Sequence, residues 1–157
     1  MEKTKIMKVL LLTSLLGVDL FAYDADLAQK FDETFSQYSQ AYLNNSKMLV
    51  DGDSVMKMLQ KKEDFVLLDI RTPAEMQVLG LRTKNTLEIP FDVLFKKENL
   101  DRLSKEKPIV IVCHSGGRAL QAATSLEMLG FKNAKVLYGG IISLAQSDST
   151  KNAPALK

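Results

Sequence analysis

The stretch from Pro108 to Arg118, Pro-Ile-Val-Ile-Val-Cys-His-Ser-Gly-Gly-Arg, constrains the fold of this chain more than any other. Ile109 to Val112 are β-branched and apolar without a polar break, the pattern of a strand buried on both faces of a parallel sheet. Gly116 and Gly117 then mark a tight loop, and Arg118 to Leu129 reads as a helix that Gly130 stops. The strand delivers Cys113, the one cysteine of the chain, with His114, the one histidine, beside it. A nucleophile between a strand's carboxyl end and a helix start stands where open α/β sheets place their chemistry.

The flanking segments repeat this alternation. Met48-Leu49-Val50 reads as a short edge strand, and Asp51-Gly52-Asp53-Ser54 as a turn that caps a helix over Val55 to Lys62. Phe65 to Ile70 is a second buried strand, ending on a polar cluster. After it, Thr72 is an N-cap, Pro73 occupies the first helical position and Glu75 completes a capping-box pattern. Thr86 to Ile89 reads as a short strand closed by Pro90, and the apolar spacing from Phe91 to Leu103 predicts a helix. Ala134 to Tyr138 is a last strand, and Gly139-Gly140 opens a terminal helix. Strands alternating with helices define an α/β fold, a parallel sheet flanked by helices on both faces. An extra amphipathic helix precedes it over residues 23–47, with Leu27, Phe31, Phe35, Tyr38 and Tyr42 at steps of three and four. Residues 48–147 form the domain proper, and residues 148–157 a polar tail.

Residues 1–22 carry the pattern of an export signal: Lys3, Lys5 and Lys8, a short apolar run from Val9 to Gly17, and Ala22 at the cut site. A membrane anchor and a buried helix are the other readings, but the run is shorter than the roughly 20 residues of a spanning helix. Export places the mature protein in a periplasm, where cysteines are ordinarily paired. A lone thiol there is inert, intermolecular or reactive, and the strand-end position of Cys113 favours the last. Net charge is +2 with both signs interspersed, so no basic stripe exists to bind nucleic acid.

Six residues run from Cys113 to Arg118. With two glycines and a helix following, the backbone N–H groups of His114, Ser115, Gly116, Gly117 and Arg118 can form a nest around the sulfur. Such a nest favours thiolate over thiol, and it would equally hold a persulfide anion. His114 admits two roles, a general base for Cys113 or a residue on the rim; neighbours on a tight loop rarely face each other, which favours the rim. One cysteine and one histidine fall short of a zinc set. Neither a metal nor another cofactor is expected.

Cys113-His-Ser-Gly-Gly-Arg118 after an apolar strand resembles the active-site loop of the rhodanese-like sulfurtransferases. Asp69-Ile-Arg-Thr-Pro-Ala-Glu75 resembles that family's Asp-x-Arg-x-x-x-Glu segment. Ile89-Pro90 resembles its Ile-Pro step, and Leu137-Tyr-Gly-Gly-Ile141 its double-glycine segment. The likeness spans about Leu49 to Ser147. His114 stands where many members carry Arg, Gly80-Leu81-Arg82 where Gly-His-Ile is common, and Leu144 where Trp often follows the double glycine. The resemblance implies double displacement: Cys113 takes sulfur from a small anion, thiosulfate or polysulfide, as a persulfide and passes it to a thiol or an acceptor protein. It also implies supporting roles for Asp69, Arg71, Glu75 and Arg82, with Arg71 and Glu75 as an ion pair beside the loop; helix capping alone also accounts for Glu75. The related phosphatases have a loop one residue longer, so sulfur is favoured over phosphate. Within the family, an exported chain with one cysteine resembles the periplasmic polysulfide-sulfur transferases. These act as homodimers, for which the helix from Asp24 to Tyr42 would be the subunit contact. A non-catalytic sulfur carrier or docking module is the alternative.

Overall fold

A computed structural model describes residues 23–147, so the export signal and the polar tail lie outside the described residues. The chain divides into two compact units at Ser39/Gln40. In the first, α1 spans Ala25–Phe35, and Asp24 caps it by accepting the Leu27 N–H at 2.9 Å. The single helix expected over residues 23–47 is instead two, because α1 ends at Phe35 and a separate α2 covers Gln40–Asn45. The break falls at Ser36-Gln37-Tyr38-Ser39, where the serines are weak helix formers. There the Gln37 amide folds back to donate to the Glu33 carbonyl at 2.7 Å, satisfying a helix end that would otherwise continue.

The second unit carries a five-stranded sheet, all parallel, in the order β1-β5-β4-β2-β3. The strands are β1 Leu49–Val50, β2 Val66–Asp69, β3 Thr86–Glu88, β4 Ile109–Val112 and β5 Ala134–Leu137. The helices between and after them are α3 Gly52–Gln60, α4 Pro73–Val78, α5 Lys97–Leu100, α6 Gly117–Met128 and α7 Gly140–Ser147. α3 starts at Gly52 rather than Val55, because Asp51, the first residue of the predicted turn, is its cap and accepts the Ser54 N–H at 2.7 Å.

Alternation along the strands sorts the core into two layers. Leu67, Val110, Val112 and Leu137 face Val55 and Met56 of α3 and Ile141 and Leu144 of α7. Leu68, Ile109, Ile111 and Val136 face Ala119, Ala122, Ala123 and Leu126 of α6, with Leu94 and Leu103. The small alanines let α6 lie close to the sheet. Leu94 and Leu103 belong to the segment predicted as one helix, but only Lys97–Leu100 is helical. Its other bonds are three-residue turns, Val93 N–H to Pro90 O, Leu94 to Phe91 and Lys96 to Val93. Turns of that size repeat apolar positions every three residues, so they imitate helical spacing.

The β2 crossover leads outward to β3, and the β4 crossover leads the other way to β5. The crevice above the carboxyl ends of β2 and β4 is therefore the switch point of the sheet. At its base, Asp69 and Arg71 are buried at 0% and 2% exposure. Arg71 donates through Nε and Nη2 to the Asp69 carboxylate at 3.0 and 2.7 Å, and Nη2 also reaches the Leu79 carbonyl at 2.7 Å. Removing one member of such a pair strands a charge in the interior. We expect Asp69→Ala to lower stability by about 3–5 kcal/mol. The double replacement Asp69→Leu/Arg71→Met should lose less than that single one; urea unfolding midpoints of the two variants check the order.

Candidate active site

β4 ends at Val112 and releases Cys113 into the loop, where Gly116 adopts φ +107° and becomes the N-cap of α6. That left-handed conformation turns the Gly116 N–H back onto Cys113 Sγ at 3.1 Å. The sulfur thus sits at the N-terminus of a twelve-residue helix, where the aligned peptide dipoles favour negative charge. From below, the Ile141 N–H of α7 donates to the Cys113 carbonyl at 2.9 Å. Gly140 passes so close that a Cβ there would lie 2.5 Å from the carbonyl oxygens of Cys113 and His114. The double glycine is thereby explained as the floor of the loop. Cys113 is 1% exposed, whereas His114, Ser115 and Gly117 are exposed around it.

The structure corrects the expected pairing of Arg71 with Glu75. Arg71 is held by Asp69, two residues before it, and Glu75 is held by Arg118 across the crevice. Arg118 grips the Glu75 carboxylate with both terminal nitrogens, Nη1 to Oε2 at 2.9 Å and Nη2 to Oε1 at 2.6 Å. The reason is positional. The first turns of α4 and α6 face each other across the crevice, and Arg71, just before α4, is drawn down into the sheet. Glu75 also closes the capping box, accepting the Thr72 N–H at 2.8 Å and its hydroxyl at 2.9 Å. The Arg118 bond, then the Thr72 N–H, hold the Glu75 carboxyl at about 2, below its ordinary 4.5. Arg118 is raised above its ordinary range, first by the bond to Glu75 and to a smaller degree by Cys113 beside it.

A cleft of about 540 Å³ opens beside the loop, lined by Arg71, Glu75, Val78, Leu79, His114, Ile141, Ile142, Ala145 and Gln146. Of the residues picked out from the sequence, His114, Arg71 and Glu75 meet here. Arg82 is exposed, lies along Gly80 and does not line the cleft. Of the apolar wall, only Ile141 falls in a sequence motif; Val78, Leu79, Ile142 and Ala145 do not. A signal was present: α7 carries two adjacent apolar pairs, 141/144 and 142/145, one more than a single buried stripe requires. A smaller cavity of about 210 Å³ near Tyr42, Met48 and Phe131 includes no residue of the Cys113 loop. Among the described residues, no group of three or more His, Cys, Asp or Glu is placed to hold a metal ion.

A parallel α/β sheet with a glycine-floored cysteine loop at its switch point defines a class of single-nucleophile transfer domains. Residues 51–146 match the rhodanese-like domain, and the chain belongs to that family. It is 34% identical over 97 residues to a sulfurtransferase of Allochromatium vinosum, covering 62% of this chain and 87% of the relative. It is 31% identical over 110 residues to the tRNA uridine(34) hydroxylase of Pelagibacter ubique, covering 70% of this chain but spanning only 36% of that protein. Human single-domain sulfurtransferase TSTD1 shares the fold with a TM-score of 0.56 at 21% identity, over 66% of this chain and all of that one. Bacillus anthracis CoADR-RHD superposes with a TM-score of 0.54 at 26% identity, over 63% of this chain and 16% of that one. Sulfurtransferases thus recur among the relatives.

The depressed Glu75 pKa makes acid sensitivity a test of the Arg118 contact. A carboxyl ionising at about 2 when folded and near 4.5 when unfolded adds stability that is complete above 4.5. That stability is lost as pH falls from about 4.5 towards 2. We expect the melting-temperature gap between wild type and Glu75→Gln to be constant from pH 7 to about pH 5 and to close below it. A gap that stays constant down to pH 3 would contradict the pairing.

Proposed function

We propose that this chain is an exported, periplasmic single-domain sulfurtransferase that moves sulfane sulfur from thiosulfate or polysulfide through a persulfide on Cys113. The observation that carries this reading is the Gly116 N–H on Cys113 Sγ at 3.1 Å, with Arg118 beside the same sulfur. In the first half-reaction the Cys113 thiolate attacks the outer sulfur of thiosulfate. The Sγ–S bond forms, the S–S bond of the donor breaks, and sulfite leaves with the electron pair. Polysulfide reacts the same way, leaving a chain one sulfur shorter. In the second, an acceptor attacks the outer sulfur of the persulfide and Cys113 departs as thiolate; with cyanide the product is thiocyanate. The loop N–H groups and the N-terminus of α6 hold the anionic sulfur in both halves.

The alternative is a non-catalytic sulfur carrier or docking module. It draws on the 1% exposure of Cys113, which suits a sulfur reached only when a partner opens the loop. Intact mass separates the two readings. Polysulfide or thiosulfate should add one sulfur atom to wild type, nothing to Cys113→Ser, and cyanide should remove it with repeated turnover. Loading without turnover would favour the carrier, and no loading at all would leave only docking. The same spectrum tests export, since protein recovered from a periplasmic fraction should begin at Tyr23; a chain beginning at Met1 in the cytoplasm would sink that part.

The homodimer belongs to this proposal. Leu27, Phe31 and Phe35 line one side of α1 at 43%, 42% and 44% exposure, with the two phenylalanine rings stacked 5.9 Å apart. Such a stripe suits a second copy of the helix. Sedimentation should give twice the mass of the mature chain, and Phe31→Asp should halve it; a wild-type monomer would contradict the dimer.

A further inference from the structure

The cleft that His114 of the cysteine loop lines is apolar in shape-giving residues and balanced in charge. Val78 at the end of α4 is 90% exposed, Leu79 48% and Ile142 of α7 42%. Single exposed apolar residues are ordinary on a protein surface, but these come from two elements and line one concavity with Ile141 and Ala145. Its volume of about 540 Å³ lies within the range of small-molecule sites, roughly 300–1,000 Å³.

The charged groups at its wall are already engaged. Arg71 is neutralised by Asp69 and gives a further donor to Leu79 O, while Glu75 is neutralised by Arg118. The two ion pairs cancel, and the remaining polar lining is His114 and Gln146. A dianion entering this space would leave water without gaining an unpaired cation, which is unfavourable. A hydrocarbon body would gain by leaving water. His114 joins this apolar wall to the nucleophile, because it lines the cleft and directly follows Cys113.

We infer that the cleft formed by Val78, Leu79, Ile141 and Ile142 selects the sulfur acceptor, and that it takes thiols with an apolar body, alkyl or aryl, over small hydrophilic ones. The inference rests on the Cys113 persulfide reading. The step is RSH + Cys113–S–S⁻ → R–S–S⁻ + Cys113–SH. The bond from the acceptor sulfur to the outer sulfur forms and the Cys113 Sγ–S bond breaks. The Cys113 sulfur takes that electron pair and, in the balance, the acceptor's proton. The R group sits in the cleft while the thiol sulfur reaches the loop.

The experiment is discharge of persulfide-loaded protein by ethanethiol, propanethiol, butanethiol and pentanethiol, with 2-mercaptoethanol as the hydrophilic comparator. Each rate is taken relative to that thiol's rate with a small soluble persulfide. Each added methylene should raise the relative rate, up to about fourfold where it is fully removed from water. In Val78→Asn/Ile142→Asn the increase per methylene should fall to near unity. That slope is read independently of how active the variant is, and both positions are exposed enough to accept the change. Loaded wild type that discharges with no dependence on chain length would overturn the acceptor assignment while leaving sulfur transfer in place. A chain-length dependence that persists in the double variant would move the selectivity away from this cleft and overturn the inference. Wild type that acquires no sulfur on loading would overturn the persulfide reading and the inference with it.

Discussion

The site depends on the reversal of crossover direction between the parallel neighbours β2 and β4. Because one crossover leads to β3 and the other to β5, neither covers the carboxyl ends of the two central strands. Register then decides what stands at the opening. Asp69 lies opposite Val112, so Asp69 and Arg71 on one side and Cys113 on the other arrive at the same height. A slip of one residue in β4 would exchange its two faces and move Val110 and Val112 out of the α3/α7 layer. The deep packing of all four residues of β4, each at 0% exposure, is therefore what fixes the Cys113 sulfur at the crevice end of the strand.

Two arginines divide the electrostatic work at that opening. Arg71 is interior and ties the end of β2 to the end of α4 through Leu79 O. Arg118 is half-exposed and ties the start of α6 to the start of α4, residues 43 positions apart in sequence. Both use the planar guanidinium against two oxygens, a geometry lysine cannot reproduce. With each arginine bonded to a carboxylate, the loop meets the Cys113 sulfur through the backbone, by the Gly116 N–H at 3.1 Å. That contact does not vary with side-chain conformation, and Gly140 and Ile141 keep its frame rigid from below.

The strands, the parallel α/β class and the cysteine loop were legible because buried β-branched runs and glycine pairs are local signals. The capping box at Thr72 and Glu75 was legible for the same reason. The ion pairs were not. Glu75 satisfies its helix end by itself, so its second bond to Arg118 depends on how α4 and α6 face each other, which no local pattern states. Arg71 illustrates the converse, since an arginine two residues after an aspartate has no periodicity that reveals it folding back into the sheet. The turns from Phe91 to Leu100 misled because three-residue bonds place apolar side chains almost as a helix does. The apolar cleft is divided between α4 and α7, and only the fold makes it one surface.

On the proposed persulfide chemistry, the burial of Cys113 would give the two half-reactions different demands. A donor would have to reach a sulfur that is 1% exposed beneath the Gly116 N–H. Small, hydrocarbon-free anions are suited to that approach, since the loop floor at Gly140 and Ile141 leaves the main chain little room to retreat. A loaded persulfide extends the reactive atom by one S–S bond, about 2 Å, beyond Sγ. The acceptor therefore need not follow the donor's path, and it can be larger. On that proposal, the approach of a charged donor and an apolar cleft for the acceptor can coexist at one cysteine. The exposed His114, at the junction of the two, is the side chain best placed to separate them.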